Sequence, residues 1–418
     1  MSVIQFILDL GASVMLPLIV LVLGLVFGLS LGRAFRAGVT IGVGFVGIGL
    51  VIGLLTGSLG PAAQAMVERF GIQLNVLDVG WPAAAAIAFA SQVGAVVIPV
   101  GLLVNLVMLV TRTTQTLNID LWNYWHFAFT GALVTAATGQ LWLGVAAAAI
   151  NAAIVLKLGD WTAKQVQEFY GLPGISLPHG LSAAYVPIAL PLNALIDRIP
   201  VLRDIELDTD KIQQRLGVFG DPVMLGLFLG VVLGLLAGYD VKAVLQLGVS
   251  MAAVMLLMPR MVRILMEGLM PVSEAAREFL KQRFQGRDFY IGLDSAIAVG
   301  HPASIATALI LVPITLLLAV IVPGNRLLPF GDLATIPFVV CMIAPVVRGN
   351  VFRSVLIGMV AIAVGLLMST HVASLHTAAA IAAQFEIPAG ATEISSIGDG
   401  ANPLTWVLLQ VARLFAGQ

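Results

Sequence analysis

The sequence predicts an all-α polytopic membrane protein with about 10–12 transmembrane helices and additional re-entrant hairpins. Three observations carry that prediction. Of the 418 residues, 59% are hydrophobic and 10% charged, whereas soluble domains carry about a quarter charged residues. Mean hydropathy is +1.02. Apolar runs recur along the chain at the length a helix needs to cross a bilayer, roughly 20 residues. In water, burying this much apolar surface would demand an implausibly large single core; lipid removes the demand.

Taken in order, the clear spans are Phe6–Leu31, Gly38–Thr56, Val93–Val110, Gly139–Val155, Pro222–Gly238, Val241–Met258, Ala303–Val322, Phe338–Val347 with its flanks, Phe352–Ser369, and a last one ending near Phe415. The first apolar stretch lacks a small-residue cleavage site, so it reads as a span and not a signal peptide. Other apolar pieces are too short, or too rich in Gly and Pro, to cross cleanly: Gly80–Ala90, Phe127–Ala136, Gly174–Pro191, Ile291–Pro302 and Ile394–Thr405. Broken segments are tolerated at membrane depth only where protein or a polar cavity surrounds them, so these are expected re-entrant hairpins.

The longest polar connections are Asp197–Gly217 and Arg260–Arg287. The second holds Arg260, Arg263, Arg277, Lys281, Arg283 and Arg287, which places it in the cytoplasm by the positive-inside rule. Its body, Val272–Phe284, is expected to lie along the membrane surface. Net charge is −1, which gives no electrostatic case for nucleic acid. The one cysteine, Cys341, lies in an apolar run; disulfides and a thiolate zinc site are excluded. No phosphate-binding loop, HExxH helix or GxSxG elbow is present. Neither autonomous catalysis, a metal nor a cofactor is expected.

An internal repeat organises the chain. Leu77-Asp78, Gly80-Trp81-Pro82-Ala83 is answered by Leu293-Asp294, Gly300-His301-Pro302-Ala303, the aspartates 216 residues apart (294 − 78). Pro178-His179-Gly180 answers Gly398-Asp399-Gly400 at a shift of 220 (399 − 179), and Gly139-Gln140 answers Gly349-Asn350 at 210 (350 − 140). Three matches in one order at nearly one shift divide the chain into halves, 1–205 and 206–418. In carriers built this way the site lies at the repeat interface.

Ionisable residues at membrane depth mark a pathway or a site by default. Here they sit in the broken segments: Asp78 and Asp294 open the paired hairpins, His126 follows Trp122, Asn123, Tyr124 and Trp125, His179 lies in a Pro-His-Gly turn, and His301 holds the place of Trp81. A carboxylate accepts two hydroxyl protons, and histidine donates and accepts together. Aromatic faces pack against C–H surface. No Arg or Lys lies within these hairpins. The set suits an uncharged solute with many hydroxyls. Helix capping by Asp78 and Asp294 is the competing structural role, as is an interfacial belt for Trp122 and Tyr124.

The chain also resembles the galactitol-type enzyme IIC of the bacterial phosphotransferase system. The likeness is carried by the glycine-rich run Ile41–Gly53, Leu77-Asp78-Val79-Gly80-Trp81-Pro82, Phe129-Thr130-Gly131-Ala132-Leu133, Lys157-Leu158-Gly159-Asp160-Trp161, Ala237–Lys242, Ile291-Gly292-Leu293-Asp294 and Leu328–Ile336. The resemblance implies a homodimer in the inner membrane, each protomer having a core transport domain and a dimerising scaffold domain, with elevator-type movement and a fold shared with the ascorbate permeases. It implies an alditol site including His126, Thr130, His179 and Asp294, with Trp81, Asp78 and His301 close by, and a role for Asp294 in orienting the attacking hydroxyl. It implies phosphorylation by a separate enzyme IIB carrying a phosphocysteine, itself supplied by enzyme IIA. Cys341, in an apolar span, cannot be that cysteine. Gly180 and Thr130 depart from the ascorbate pattern, which has amides there. Some relatives continue past the last span, so a further C-terminal helix is expected to be missing. Two other readings fit the residues alone: an ion-coupled polyol carrier, and a membrane enzyme or assembly factor without transport.

Overall fold

The computed structural model describes residues 12–71, 74–120, 122–207, 222–283, 289–329, 331–385, 387 and 391–417. The start of the first expected span, the end of the Asp197–Gly217 connection, Phe284 and Arg287 lie outside them.

Helices dominate, and one group stands apart by its packing. Helices α1 (Ala12–Val26) and α2 (Leu31–Phe70) pack against each other, and α9 (Pro222–Leu236) and α10 (Val241–Arg283) do likewise, with α2 also lying along α10. Small residues let these backbones approach: a Cβ on Gly230 would sit 2.8 Å from the Cα of Gly248, the contact that lipid-embedded helices favour. The sequence reading ends the second span at Thr56 and treats Val272–Phe284 as a separate surface helix. Instead α2 runs on to Phe70 and α10 to Arg283 without a break. At 1.5 Å per residue these 40 and 43 residues reach about 60 Å, twice the hydrocarbon core.

The remaining elements interleave. From the first half come β1 (Val76–Asp78), α3 (Gly80–Ala90), α4 (Gly94–Val110), β2 (Thr116–Asn118), α5 (Trp125–Thr138), α6 (Leu141–Tyr170), β3 (Ile175–Ser176), α7 (Val186–Ile196) and a short α8 (Pro200–Arg203). From the second come β4 (Tyr290–Gly292), α11 (Ala296–Val299), α12 (Pro302–Ile321), β5 (Leu327–Leu328), α13 (Ile336–Cys341), α14 (Ile343–Val346), α15 (Val351–Ala382), β6 (Glu393–Ser395) and α16 (Pro403–Phe415). Ala84, Ala88, Phe129, Ala147, Ala148, Val372 and Leu409 share one core cluster; alanine at so many contacts keeps the helices close.

Not all of the chain is helical. The broken segments satisfy their backbone groups in two three-stranded parallel sheets, ordered β5-β1-β6 and β2-β4-β3. Val76 pairs with Leu327 and Glu393, while Ile291 pairs with Leu117 and Ile175. Each sheet therefore takes its central strand from one half of the chain and both flanking strands from the other. Backbone N–H and C=O groups need such partners wherever water is excluded.

Among the described residues four helices are long and apolar enough to cross a membrane by length and composition, Leu31–Val51, Leu141–Tyr170, Pro302–Ile321 and Val351–Ala382. The pair Ala83–Ala90 and Gly94–Val110, bent by 85°, makes a fifth if it counts as one span. That is fewer full-length crossings than the 10–12 anticipated, because other apolar sequence is divided among helices of 10–17 residues. Two segments exchange roles. Phe127–Ala136, expected to be broken, lies in the continuous buried helix α5, which contains no proline. Phe338–Val347, expected to span, breaks between α13 and α14. Pro345 cannot donate to the carbonyl of Cys341 four residues earlier; the hydroxyl of Tyr170 donates to it instead.

Candidate functional site

The strands deliver the polar residues. In each sheet the strands run parallel, so their C-terminal ends lie together. Beyond β2, β4 and β3 follow Asp120, Asp294 and His179; at or beyond the ends of β1, β5 and β6 come Asp78, Asp332 and Asp399. His179 and Asp294 of the first group, with Trp81 and Gly398 from the segments that follow β1 and β6, line one cavity of about 80 Å³. Its walls carry Trp81, Trp122, Trp125 and Phe338 beside His126, His179, Asn123 and Asp294. No Arg or Lys is among its described lining residues.

A backbone donor fixes the tautomer of His179, and that of His126 follows with Asp399 as its ionised partner. Nδ1 of His126 donates to the carboxylate of Asp399 at 2.7 Å, which leaves Nε2 an acceptor. Nδ1 of His179 accepts the backbone N–H of Ser182 at 3.2 Å, which puts its hydrogen on Nε2. The two Nε2 atoms are 3.4 Å apart, and His179 Nε2 lies 3.6 Å from Oδ1 of Asp294. A donor, an acceptor and a carboxylate oxygen thus meet at the wall. A hydroxyl group can accept from His179, donate to His126 or Asp294, and replace one long contact with two good ones. His126 is packed on Trp125, ring centroids 4.0 Å apart, and His179 on Phe338 at 5.8 Å. Gly180 has a steric reason: a Cβ there would fall 2.4 Å from the Cβ of His126.

Of the residues predicted for the site, His126, His179, Asp294 and Trp81 come together on the cavity. Thr130 stands behind it, one turn along α5. It is fully buried, with its Oγ1 receiving a hydrogen bond from Asn151 Nδ2 at 2.6 Å and sharing one with Thr405 Oγ1 at 2.7 Å. Asp78 ties two hairpins together: it accepts the N–H groups of Gly80 at 3.0 Å and Asp332 at 2.9 Å. Asp332 answers by accepting the N–H of Trp81 at 2.6 Å and of Gly398 at 2.9 Å, and the hydroxyl of Ser396. His301 caps α12, accepting from the N–H of Ala303, and packs against Phe169 and Tyr170; it does not line the cavity. Asp294 also serves the backbone, its Oδ1 accepting the N–H of Ala296 at 2.9 Å where α11 begins, although the N-cap residue there is Ser295, and the residue faces the cavity.

Sequence reasoning missed Asp399, Asp332 and Asp120 as site residues. For Asp399 a signal existed, because the repeat sets it opposite His179. Asp120 is buried, and its Oδ2 accepts from Asn123 at 2.5 Å while Oδ1 has no partner.

Comparison with known proteins gives this geometry its setting. Residues 6–390 match the family EIIC-GAT, described as the "PTS system sugar-specific permease component". The chain belongs to that family. This EIIC-GAT permease is 48% identical over 414 residues to the "PTS system galactitol-specific EIIC component" of Escherichia coli K12, covering 98% of this chain and 90% of the relative. The same figures hold for the protein of that name in Escherichia coli O157:H7. A "Putative permease IIC component" of Escherichia coli K12 is 43% identical over 410 residues, 98% of this chain and 94% of the relative.

Proposed function

We propose that this EIIC-GAT permease binds galactitol or a closely related alditol in the His126–His179–Asp294 cavity and carries it across the inner membrane. Phosphorylation is coupled to that passage, the phosphoryl group coming from a phosphocysteine on a separate enzyme IIB recharged by enzyme IIA. The observation that carries the reading is the cavity wall itself: an acceptor and a donor nitrogen 3.4 Å apart, a carboxylate beside them, and tryptophan faces around them. That set complements adjacent hydroxyls on an apolar carbon chain. The absence of Arg and Lys among the described lining residues fits a neutral solute. The galactitol-specific relative, at 48% identity over 98% of the chain, narrows the class.

The architecture fits the rest of the proposal. The halves 1–205 and 206–418 are copies that exchange central strands. The long helices α1, α2, α9 and α10 form the dimerising scaffold, and the interleaved elements form the transport core that moves as an elevator. Asp294 orients the attacking hydroxyl.

The test is a panel of hexitols and pentitols titrated into purified protein, followed by transfer from phosphorylated enzyme IIB. Saturable binding of one alditol and its phosphorylation only in the presence of enzyme IIB are expected. Uptake that survives loss of enzyme IIB but collapses with the ion gradient would select an ion-coupled carrier instead. Failure to bind any alditol would overturn the reading.

A further inference from the structure

We infer that His126 is the general base of phosphoryl transfer and that Asp399 is the residue that positions it. The inference rests on the proposed phosphorylation and adds a proton path to it.

Transfer to an alditol requires a hydroxyl to lose its proton as its oxygen takes up phosphorus. The base must reach that hydroxyl, present a free lone pair, and tolerate the positive charge it acquires. His126 meets each condition. Its Nε2 is the acceptor at the cavity wall, because Nδ1 is committed to Asp399 at 2.7 Å. Both side chains are buried, 2% and 0% exposed, so a charge formed on the imidazole would find little water to stabilise it. The carboxylate supplies that stabilisation at hydrogen-bonding distance, without itself reaching the cavity.

Asp399 is held for this task. Its other oxygen accepts from Asn402 Nδ2 at 3.1 Å, and the same amide donates to the carbonyl of Gly180 at 3.0 Å. Asn402 Oδ1 in turn accepts from the first N–H groups of α16. Turning the carboxylate away from His126 would give up the bond from Asn402, whose amide is itself held in place by the helix cap. His179 holds the neighbouring position with the opposite tautomer, and its Nε2–H can hold the hydroxyl oxygen while His126 takes the proton.

The step balances. The alditol hydroxyl gives its proton to His126 Nε2 while its oxygen forms the new O–P bond. The S–P bond of the partner's phosphocysteine breaks, and its electron pair stays on sulfur as thiolate. The imidazolium, paired with Asp399, loses its proton to water when the phosphorylated alditol leaves.

Asp399→Asn tests this directly. With its amide nitrogen toward His126, the substituted residue would donate to Nδ1 and put the imidazole hydrogen on Nε2, the wrong tautomer for a base. With its oxygen there, the amide would face the donating Nδ2 of Asn402. Single-turnover transfer from phosphorylated enzyme IIB should fall about 10²- to 10⁴-fold, while alditol affinity by calorimetry should fall by no more than about tenfold, the loss of one hydroxyl-to-Nε2 hydrogen bond, so that most of the effect lies in the transition state. His126→Gln, which keeps a donor for Asp399 but no base, should lose a similar factor. The double variant should be no slower than the slower single one, because both remove one unit.

A folded Asp399→Asn protein that transfers within about fivefold of wild type would overturn the inference, as would a loss of affinity as large as the loss of rate. Should Asp399→Asn not fold, the same two outcomes in His126→Gln decide it. Absence of transfer by the wild type overturns the proposed function and this inference together. Normal transfer by the variants overturns the inference alone.

Discussion

Asp294→Asn separates ligand binding from helix capping at one position. Oδ1 of Asp294 accepts the N–H of Ala296 at 2.9 Å and lies 3.6 Å from His179 Nε2. Asparagine retains a carbonyl oxygen for the Ala296 N–H, and capping by Asn is about as good as by Asp. Stability should therefore change little. Binding should suffer, because a charged acceptor at the cavity wall becomes a neutral amide. A hydrogen bond to a charged group contributes about 1.5–3 kcal/mol, or on the order of 10- to 150-fold in affinity. Calorimetric titration of the folded protein with its alditol reads the loss, and thermal melting in the same detergent reads stability. Wild-type affinity in the variant would assign Asp294 to capping alone and remove it from the site.

Asp78→Asn should do the reverse: both its oxygens accept N–H groups, and an amide can accept only one, so a donor faces a donor and about 1–3 kcal/mol of stability is lost. Affinity per folded molecule should move little, which melting and titration together would show. Gly180→Ala places a Cβ 2.4 Å from that of His126, and the displaced ring should weaken alditol binding about tenfold or more. A structure or titration showing an unmoved His126 would refute the steric argument. Cys341→Ser should leave coupled uptake nearly unchanged, since the buried thiol donates to the carbonyl of Phe338 at 3.3 Å, a contact that a serine hydroxyl can keep.

Much of the membrane class was legible before any coordinates, because crossing lipid demands apolar length and length can be counted. Two of the unusual segments were legible for a related reason: Gly and Pro open Gly80–Ala90 and lie within Ile291–Pro302, and the polar residues cluster there. The strands were not. Two- and three-residue strands such as Ile175–Ser176 show no period, and their partners lie more than a hundred residues away in the chain. The long helices were cut short at Thr56 and Met258 because charged ends read as loops, although helices need not stop where apolar sequence does. Among site residues, His126, His179, Trp81 and Asp294 were recognised from their placement in broken segments. Asp399 was visible only through the repeat, and Asp332 only as part of a longer motif. Their roles depend on contacts across 273 and 251 residues, His126 to Asp399 and Trp81 to Asp332, which no local pattern encodes.

Those long-range contacts bear on how such a site can be exposed to either side of a membrane. Asp332 N–H to Asp78, Trp81 N–H to Asp332 and His126 to Asp399 each join the first half of the chain to the second. Two are buried and the Trp81 contact is partly so, all involve a carboxylate, and both sheets add strand pairs across the same boundary. Rocking one half against the other would break bonds of about 1.5–3 kcal/mol apiece. Three such losses are comparable with the whole stability of a typical domain, about 5–15 kcal/mol. A movement that keeps them would carry both halves of the interleaved body together, while α1, α2, α9 and α10 pack chiefly on one another. The bonds that shape the cavity are thus the ones that tie the two halves of the chain into one body.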